Sequence, residues 1–240
     1  IISALSLFLF TAVAGRLWCG YTCPQTVYTE IFLWIEAKIE GDRASRMKLD
    51  DAPISAKKLF KKGSKHFVWI AFALWTGFTF VGYFSPIREL GSAVVNLGLG
   101  PWETFWICFY GFATYGNAGF MREQVCKYMC PYARFQSAMF DDDTLIVTYD
   151  EKRGEPRGKA SLKADMDKSK QGACIDCSLC VQVCPTGIDI RKGLQYECIG
   201  CGACADVCDT VMDKMGYERG LVKYSTQHAM NQGWDRSQML

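Results

Sequence analysis

Residues 174–185 read CIDCSLCVQVCP and residues 198–209 read CIGCGACADVCD, so each run holds four cysteines in the spacing C-x2-C-x2-C-x3-C. In bacterial two-cluster ferredoxins, three cysteines of such a run bind one [4Fe–4S] cluster and the fourth binds the other. Pro185 ends the first run, whereas Asp209 stands at that place in the second. Eight cysteines in two matching runs favour this reading over zinc or disulfides. We therefore predict a small α+β domain of the two-cluster bacterial ferredoxin type.

The same motif predicts which cysteines share a cluster. The first predicted ligand set is Cys174, Cys177, Cys180 and Cys208, and the second is Cys184, Cys198, Cys201 and Cys204. Such a small domain has little apolar core, so we expect the clusters also to hold it folded. Two clusters in one domain predict an electron relay.

Two further cysteine pairs lie outside these runs, in CGYTCP at residues 19–24 and CKYMCP at residues 126–131. Helical residues four apart face the same way, so each pair can offer two thiolates to one metal. Thiolate pairs select soft ions such as Cu(I), or zinc or an iron–sulfur unit. The alternative is that the cysteines are small buried residues. The candidate metal ligands are Cys19, Cys23, Cys126 and Cys130.

Apolar residues are concentrated before residue 121, and charges dominate residues 140–170. This asymmetry predicts a membrane half and a soluble half among the 240 residues. The net charge of +2 gives no reason to expect nucleic-acid binding. The chain begins without Met inside an apolar run, and we interpret it as a fragment of a longer protein.

Three apolar segments, at 1–18, 67–84 and 101–121, have about the length of a membrane-spanning helix. Residues 36–66 between the first two carry nine Lys or Arg, whereas residues 85–100 carry only Arg88. The positive-inside rule then places 36–66, both CxxxCP motifs and the ferredoxin-like domain in the cytoplasm. Helix-like stretches after each CxxxCP motif predict helices that lie in the membrane interface.

The predicted fold class is a mainly α membrane protein, with three transmembrane helices and interfacial helices, that carries the α+β ferredoxin-like domain. The predicted segments are a transmembrane helix at 1–18, a cytoplasmic CxxxCP motif with interfacial helix and basic loop at 19–66, a transmembrane helix at 67–84, an external loop at 85–100, a transmembrane helix at 101–121, the second CxxxCP motif and interfacial helix at 122–140, a linker at 141–170, the two-cluster domain at 171–220 and a tail at 221–240.

The sequence resembles the CcoG/FixG/RdxA family of bacterial inner-membrane ferredoxin-like proteins. The resemblance rests on AVAGRLWCGYTCPQTVYTEIFLWIEAKIEGDR, LWTGFTFVGYFSPIREL, ATYGNAGFMREQVCKYMCPYARFQSAMFDDDTLIVTYDEKRGEPRG, the two cysteine runs and DKMGYERGLVKYST. It implies a multi-pass protein of the bacterial inner (cytoplasmic) membrane with its clusters on the cytoplasmic side. It also implies that the CxxxCP cysteines form copper-binding motifs. Family members carry further sequence before and after this region.

The leading functional prediction is a cupric reductase that delivers Cu(I) for biogenesis of cbb3-type cytochrome c oxidase. The implied cofactors are two [4Fe–4S] clusters, with copper bound in addition. The expected partners are a lipid bilayer, a cytoplasmic electron donor, and the oxidase assembly machinery or a copper chaperone or transporter, with a homodimer as one arrangement of the chain. One alternative is a quinol-linked electron-transfer subunit of nitrate or nitrous oxide respiration. The other is a non-enzymatic assembly scaffold or redox sensor.

Overall fold

The computed structural model describes residues 1–41, 43–158 and 171–233. These residues divide into two compact units, which we name by content. The cysteine unit comprises residues 1–23 and 123–240, and the helical unit comprises residues 24–122. The twelve cysteines in the four motifs therefore all belong to the cysteine unit, and Cys108 belongs to the helical unit.

The helical unit contains five α-helices within the described residues. They are α2 (Pro24–Glu40), α3 (Arg43–Asp51), α4 (Ala56–Val81), α5 (Ile87–Val95) and α6 (Pro101–Gly116). Ser55 caps α4 by accepting a hydrogen bond from the Lys58 amide, and Glu103 closes a capping interaction at the start of α6. Helices α4 and α6 pack closely because Gly77 has no side chain: a Cβ there would lie 2.3 Å from the carbonyl oxygen of Ile107.

The core of the helical unit combines aromatic packing with buried charge. Phe32 on α2 stacks on Trp69 of α4, with ring centroids 4.9 Å apart, and both residues are almost fully buried. Glu36 and Glu40 follow on α2 and are also buried. Lys65 Nζ lies 3.3 Å from a Glu36 oxygen and 2.9 Å from a Glu40 oxygen. The remaining partners are Arg46 and Arg122 for Glu36, and Lys62 for Glu40.

The cysteine unit contains the remaining α-helices and the two strands. They are α1 (Ile2–Ala14), α7 (Pro131–Ser137), β1 (Ile146–Tyr149), α8 (Glu151–Gly154), α9 (Leu179–Gln182), α10 (Ala203–Met215), β2 (Val222–Ser225) and α11 (Gln227–Gln232). Strands β1 and β2 pair antiparallel, with Ile146 opposite Ser225 and Tyr149 opposite Val222. The stretch predicted as a linker thus supplies β1, and the predicted tail supplies β2.

A single core cluster lies beneath this small sheet and the cysteine loops. Its buried members are Val147, Tyr149, Ile188, Ile190, Val211, Met212, Leu221 and Val222. Six of the eight cysteines in the two long runs pack against it: Cys174, Cys180, Cys184, Cys198, Cys204 and Cys208. Helix α1 joins the same unit, since the Thr11 hydroxyl lies 2.6 Å from that of Tyr132 and Thr144 donates to the Ala12 carbonyl at 3.2 Å.

The structure overturns the predicted membrane fold. Across the described ranges, no helix combines the length and the apolar character needed to cross a membrane. The segment predicted at 1–18 forms the 13-residue α1, and the segment at 101–121 forms the 16-residue α6. Helix α6 is shorter than the roughly 20 residues that a bilayer requires. Helix α4 is 26 residues long, but its first turns carry five lysines.

The predictions of three transmembrane helices, and of a multi-pass location in the bacterial inner membrane, are therefore wrong. The basic loop that set the predicted orientation also has a different role. Arg46, Lys62 and Lys65 form ion pairs with the carboxylates of α2. The positive-inside rule counts these three side chains as free positive charges. In the structure, carboxylates of the helical unit compensate their charge.

Candidate functional site

The first long cysteine run wraps around a cavity. Asp176 and Ser178 adopt positive φ angles of 52° and 57°, which curl the chain between the cysteines. Cys174, Cys177, Cys180 and, from α10, Cys208 all line this cavity. The rest of its wall is largely apolar and includes Leu179, Val211, Met212 and Leu221. The structure thus brings together the four cysteines of the first predicted ligand set.

The second run follows the same plan at the start of α10. Gly200 and Gly202 have φ angles of 67° and 75°, a conformation that favours glycine. Burial, followed by the nearby sulfurs of Cys198, Cys201 and Cys184, raises the pKa of Cys204 to about 12. The pKa of Cys208 is raised to about 11 by burial and then mainly by Cys180 and Cys174. These influences place Cys184, Cys198 and Cys201 near Cys204, and Cys174 and Cys180 near Cys208, while Cys180 also acts on Cys204.

Among the described residues, no three His, Cys, Asp or Glu side chains lie close enough together to hold one metal ion. A [4Fe–4S] cluster makes a different demand, since each thiolate binds a separate corner of the cube. Four cysteines around one mainly apolar cavity fit that demand. The raised pKa values mean that cluster binding must displace thiol protons. Ligation by these eight cysteines remains a prediction.

Both CxxxC pairs occupy wide turns rather than the α-helical turns expected from their spacing. In Trp18–Thr22 and Val125–Met129, the chain forms π-helical turns with bonds five residues apart. The Cys23 amide donates to the Trp18 carbonyl at 2.9 Å, and the Cys130 amide donates to the Val125 carbonyl at 2.8 Å. Such turns are rare and occur frequently at functional sites.

The thiols of these pairs lie near enough to influence one another's pKa. Burial is the main cause that raises the pKa of Cys126 to about 11, followed by Cys23, Cys130 and Cys19. Burial also raises the pKa of Cys19, a hydrogen bond to Gln136 lowers it in part, and Cys23 and Cys130 raise it further. We call these four residues the thiol group. All four side chains are half-buried.

Gln136 is a residue of this site that the sequence did not reveal. It is fully buried on α7, and the Cys19 thiol donates to its Oε1 atom at 3.2 Å. Its Nε2 atom is buried and has no hydrogen-bond acceptor among the described residues. A buried amide donor without an acceptor is unfavourable. A rotated amide would point this donor at a Cys19 thiolate.

Arg16 is a second residue that the sequence left without a role. Its side chain is 5% exposed and lies over the Phe140 ring, 5.4 Å from the centroid. The guanidinium donates to the carbonyl oxygens of Cys198 at 3.0 Å and Ala133 at 2.8 Å, and also to that of Tyr196. Burial lowers the pKa of Arg16, and Cys19 and Cys198 act in the opposite direction. The sequence does not reveal its role, because its hydrogen-bond partners lie more than a hundred residues away along the chain.

A cavity of about 440 Å³ reaches Cys126. Its wall combines Lys127 and Arg134 with Glu197, Tyr196 and two alanines. The cavity therefore gives a small solute a polar approach to one member of the thiol group.

Comparison with known families identifies iron–sulfur domains at both ends of the chain. A family described as a 4Fe-4S dicluster domain matches residues 121–227, and a 4Fe-4S binding domain family matches residues 1–41. The first match spans the second CxxxCP motif and both long runs, and the second spans the first CxxxCP motif. The chain thus carries ferredoxin-like iron–sulfur electron-transfer domains.

Curated relatives extend the likeness over nearly the whole chain. The nitrogen fixation protein FixG of Rhizobium meliloti is 48% identical over 226 residues, which cover 94% of this chain and 43% of that protein. Protein RdxA of Cereibacter sphaeroides is 46% identical over 224 residues, covering 93% and 46%. Protein RdxB of the same organism is 45% identical over 224 residues, covering 93% and 47%. The chain spans less than half the length of these relatives, and no solved structure matches it.

Proposed function

The chain belongs to the FixG/CcoG/Rdx family, and from this premise we propose that it passes electrons to Cu(II) at the thiol group and releases Cu(I). The observation that carries the proposal is that both CxxxC pairs lie in one unit with the long cysteine runs, where the Cys19 thiol bonds to Gln136 of the helix that follows Cys130. When bound, the [4Fe–4S] clusters would supply electrons one at a time. One Cu(II) takes up one electron to become one Cu(I).

The chemistry of the thiol group favours copper as the acceptor. Thiolates are soft ligands and stabilise Cu(I) over harder divalent ions, so binding here favours the reduced product. Because the pKa of Cys126 is about 11, copper binding must displace its proton. The described residues do not form a closed site of three or four ligands, so a copper ion would contact the thiols two at a time or draw them together. An incomplete site suits a substrate that must leave.

Gln136 fits the same chemistry as a positioning residue. Its Oε1 atom accepts a hydrogen bond from the protonated Cys19 thiol. After deprotonation, amide rotation would let Nε2 donate to the thiolate and would give that buried donor its acceptor. Outer partners of this kind orient a metal ligand and stabilise its charged form. The cavity at Cys126 gives the copper ion its approach.

The destination that we propose for Cu(I) is a cbb3-type cytochrome c oxidase. Its assembly machinery, or a copper chaperone or transporter, would receive the ion. A reduced electron donor would resupply the protein with one electron for each Cu(I) that is released. One relative is named a nitrogen fixation protein, and we propose a related physiological setting for this chain.

The test uses the complete protein, purified without oxygen and reduced before copper(II) sulfate is added. Cu(I) is measured with a chelator that absorbs only when Cu(I) binds. The test variant replaces Cys19, Cys23, Cys126 and Cys130 with alanine, and the control is Cys108→Ala, an exposed cysteine outside all four motifs. We expect the four-alanine variant to keep its iron and lose Cu(I) formation, and the control to keep both. Undiminished Cu(I) formation by the four-alanine variant would refute the proposal.

A further inference from the structure

The first CxxxC turn lies directly against the backbone of the second long cysteine run. A Cβ added at Gly20 would lie 2.9 Å from the Cα of Cys201 and 3.0 Å from both the Cys201 nitrogen and the Gly200 oxygen. All three are backbone atoms, so neither side can yield by rotating a side chain. Gly20 is therefore required for this contact.

Two tyrosines extend the contact. The Tyr21 hydroxyl donates to the carbonyl oxygen of Cys201 at 2.8 Å and lies 3.0 Å from the Tyr224 hydroxyl. Tyr224, on β2, donates to the carbonyl oxygen of Gly200 at 2.6 Å. The loop that carries Cys198 and Cys201 is thus bonded to the loop between Cys19 and Cys23.

Arg16 connects the segment that follows the second CxxxC motif to the second long run through hydrogen bonds. One of its terminal nitrogens bonds to the Cys198 carbonyl and the other to that of Ala133, two residues after the CKYMCP motif. We call Arg16, Gly20 and Tyr21 the junction. The first long run has a different surrounding, because neither CxxxC turn supplies a described residue to the wall of its cavity.

The two long runs also differ in the charge beside them. Arg191 lies on the cavity of the first run, where it forms ion pairs with Asp189 and Asp176. Arg16, beside the second run, instead bonds to backbone carbonyls. A buried guanidinium that is not neutralised by a carboxylate bonded to it favours added negative charge nearby. Glu197 acts on Arg16 electrostatically but forms no ion pair with it among the described residues, so we expect an electron to be favoured at the second run over the first.

We propose that electrons leave for the thiol group from the second ligand set, Cys184, Cys198, Cys201 and Cys204, and that the first set receives them from the donor. The junction couples the second set to the thiol group, and Arg16 acts as a positioning residue. A [4Fe–4S] cluster held by the second set would supply one electron for each Cu(II) that is reduced to Cu(I) at the thiol group. This order rests on the proposed function for its acceptor, although the structural asymmetry is independent of copper.

The test compares two matched variants of the complete protein, Arg16→Gln and Arg191→Gln, each of which removes one guanidinium beside one run. Potentiometric titration followed by electron paramagnetic resonance measures the midpoint potential of each cluster signal. We expect the two substitutions to shift different signals, which assigns each signal to one run. In the unsubstituted protein, the Arg16-sensitive signal should have the higher midpoint potential. A lower value would overturn the proposed order whether or not copper is reduced.

The second measurement mixes prereduced protein with copper(II) sulfate and follows both signals by rapid freezing. Because the first set refills the second within each molecule, the Arg191-sensitive signal should be lost first, and Arg16→Gln should slow the overall loss of signal about tenfold, whereas Arg191→Gln should leave its rate unchanged. Gly20→Ala should slow it as well, compared with Gly91→Ala, where an added Cβ meets nothing within 4 Å. Slower loss of signal in Arg191→Gln but not in Arg16→Gln would overturn the order while leaving copper reduction intact. Absence of Cu(I) in every protein would instead reject the proposed function.

Discussion

The helical unit and the cysteine unit are stabilised by opposite means. In the helical unit, opposite charges meet: Glu36 and Glu40 lie buried among Lys62, Lys65 and the two arginines Arg46 and Arg122, beside a stacked Phe32–Trp69 pair. In the cysteine unit, groups of the same kind lie near one another. Burial, followed by the neighbouring sulfurs, raises the pKa of Cys204 and of Cys208. The buried carboxylates of the helical unit form ion pairs within that unit. The favourable partner of the buried cysteines is instead the metal that they would bind.

The largest test of this comparison is removal of iron. Chelation of the clusters in the complete protein should unfold residues 171–233 and leave residues 24–122 folded, because only the former pack their core against cluster ligands. Limited proteolysis with mass spectrometry locates the new cleavage sites. Cleavage within α4 or α6 before any within α10 would contradict the comparison.

The next test breaks the ion pairs of the helical unit. Glu36→Gln should lower the free energy of unfolding by about 3–5 kcal/mol, because Lys65 and two arginines would keep their charges without this partner in a buried site. Urea unfolding monitored by tryptophan fluorescence measures the loss, since Trp69 lies in the same core. The matched control is Asp213→Asn, which removes an exposed partner of Arg219 and should have little effect. If both substitutions lowered the free energy of unfolding equally, the buried ion pairs would contribute no more stability than the exposed pair.

Acid should weaken the same network without any substitution. Burial raises the pKa of Glu36, but Arg122, Arg46 and Lys65 together hold it below the ordinary value of 4.5. A carboxyl with a lowered folded pKa contributes stability that is present above its unfolded pKa and is lost as the pH falls through the folded pKa. Unfolding free energy measured between pH 6 and pH 3 should therefore decrease below about pH 4.5, and Glu36→Gln should show a smaller decrease. If the free energy of unfolding decreased equally with falling pH in the unsubstituted protein and in Glu36→Gln, groups other than Glu36 would cause the acid sensitivity.

The smallest expected effect concerns Gln136. Gln136→Ala should weaken Cu(I) binding by about tenfold to a hundredfold, the range expected when a metal ligand loses its outer partner. Competition with a Cu(I) chelator measures the affinity, and iron content monitors the fold. Gln227→Ala, at an exposed glutamine of α11, is the matched control. Unchanged affinity in the Gln136 variant would leave this residue with a packing role only.

The sequence predicted the parts of the molecule whose chemistry is local. Spacing within residues 174–185 and 198–209 predicted an iron–sulfur domain, and the match to a dicluster family confirms it. Strand β1 lies in the stretch predicted as a linker, and its partner at Val222–Ser225 lies in the predicted tail, because strand pairing depends on contacts far along the chain.

Residues whose role depends on distant contacts escaped prediction. Arg16 and Gln136 have no neighbours in sequence that disclose their partners, which lie more than a hundred positions away. The membrane segments failed for another reason. The apolar composition of a segment does not show that α1 ends at Ala14. It also does not show that Lys62 and Lys65, which precede the apolar part of α4, form ion pairs. Copper at the thiol group stays a proposal.

The division of the cysteine unit into two pieces has a consequence for its synthesis. Cys19 and Cys23 leave the ribosome first, but Gln136, Cys126 and the loop that meets Gly20 follow only after the whole helical unit. At about 5–20 residues per second, the first thiol pair waits on the order of ten seconds or longer for its partners. During that interval it is an unprotected soft-metal ligand in a nascent chain. Its protection from stray metal must then come from outside the fold until Cys126, Gln136 and the loop at Gly200 have been made.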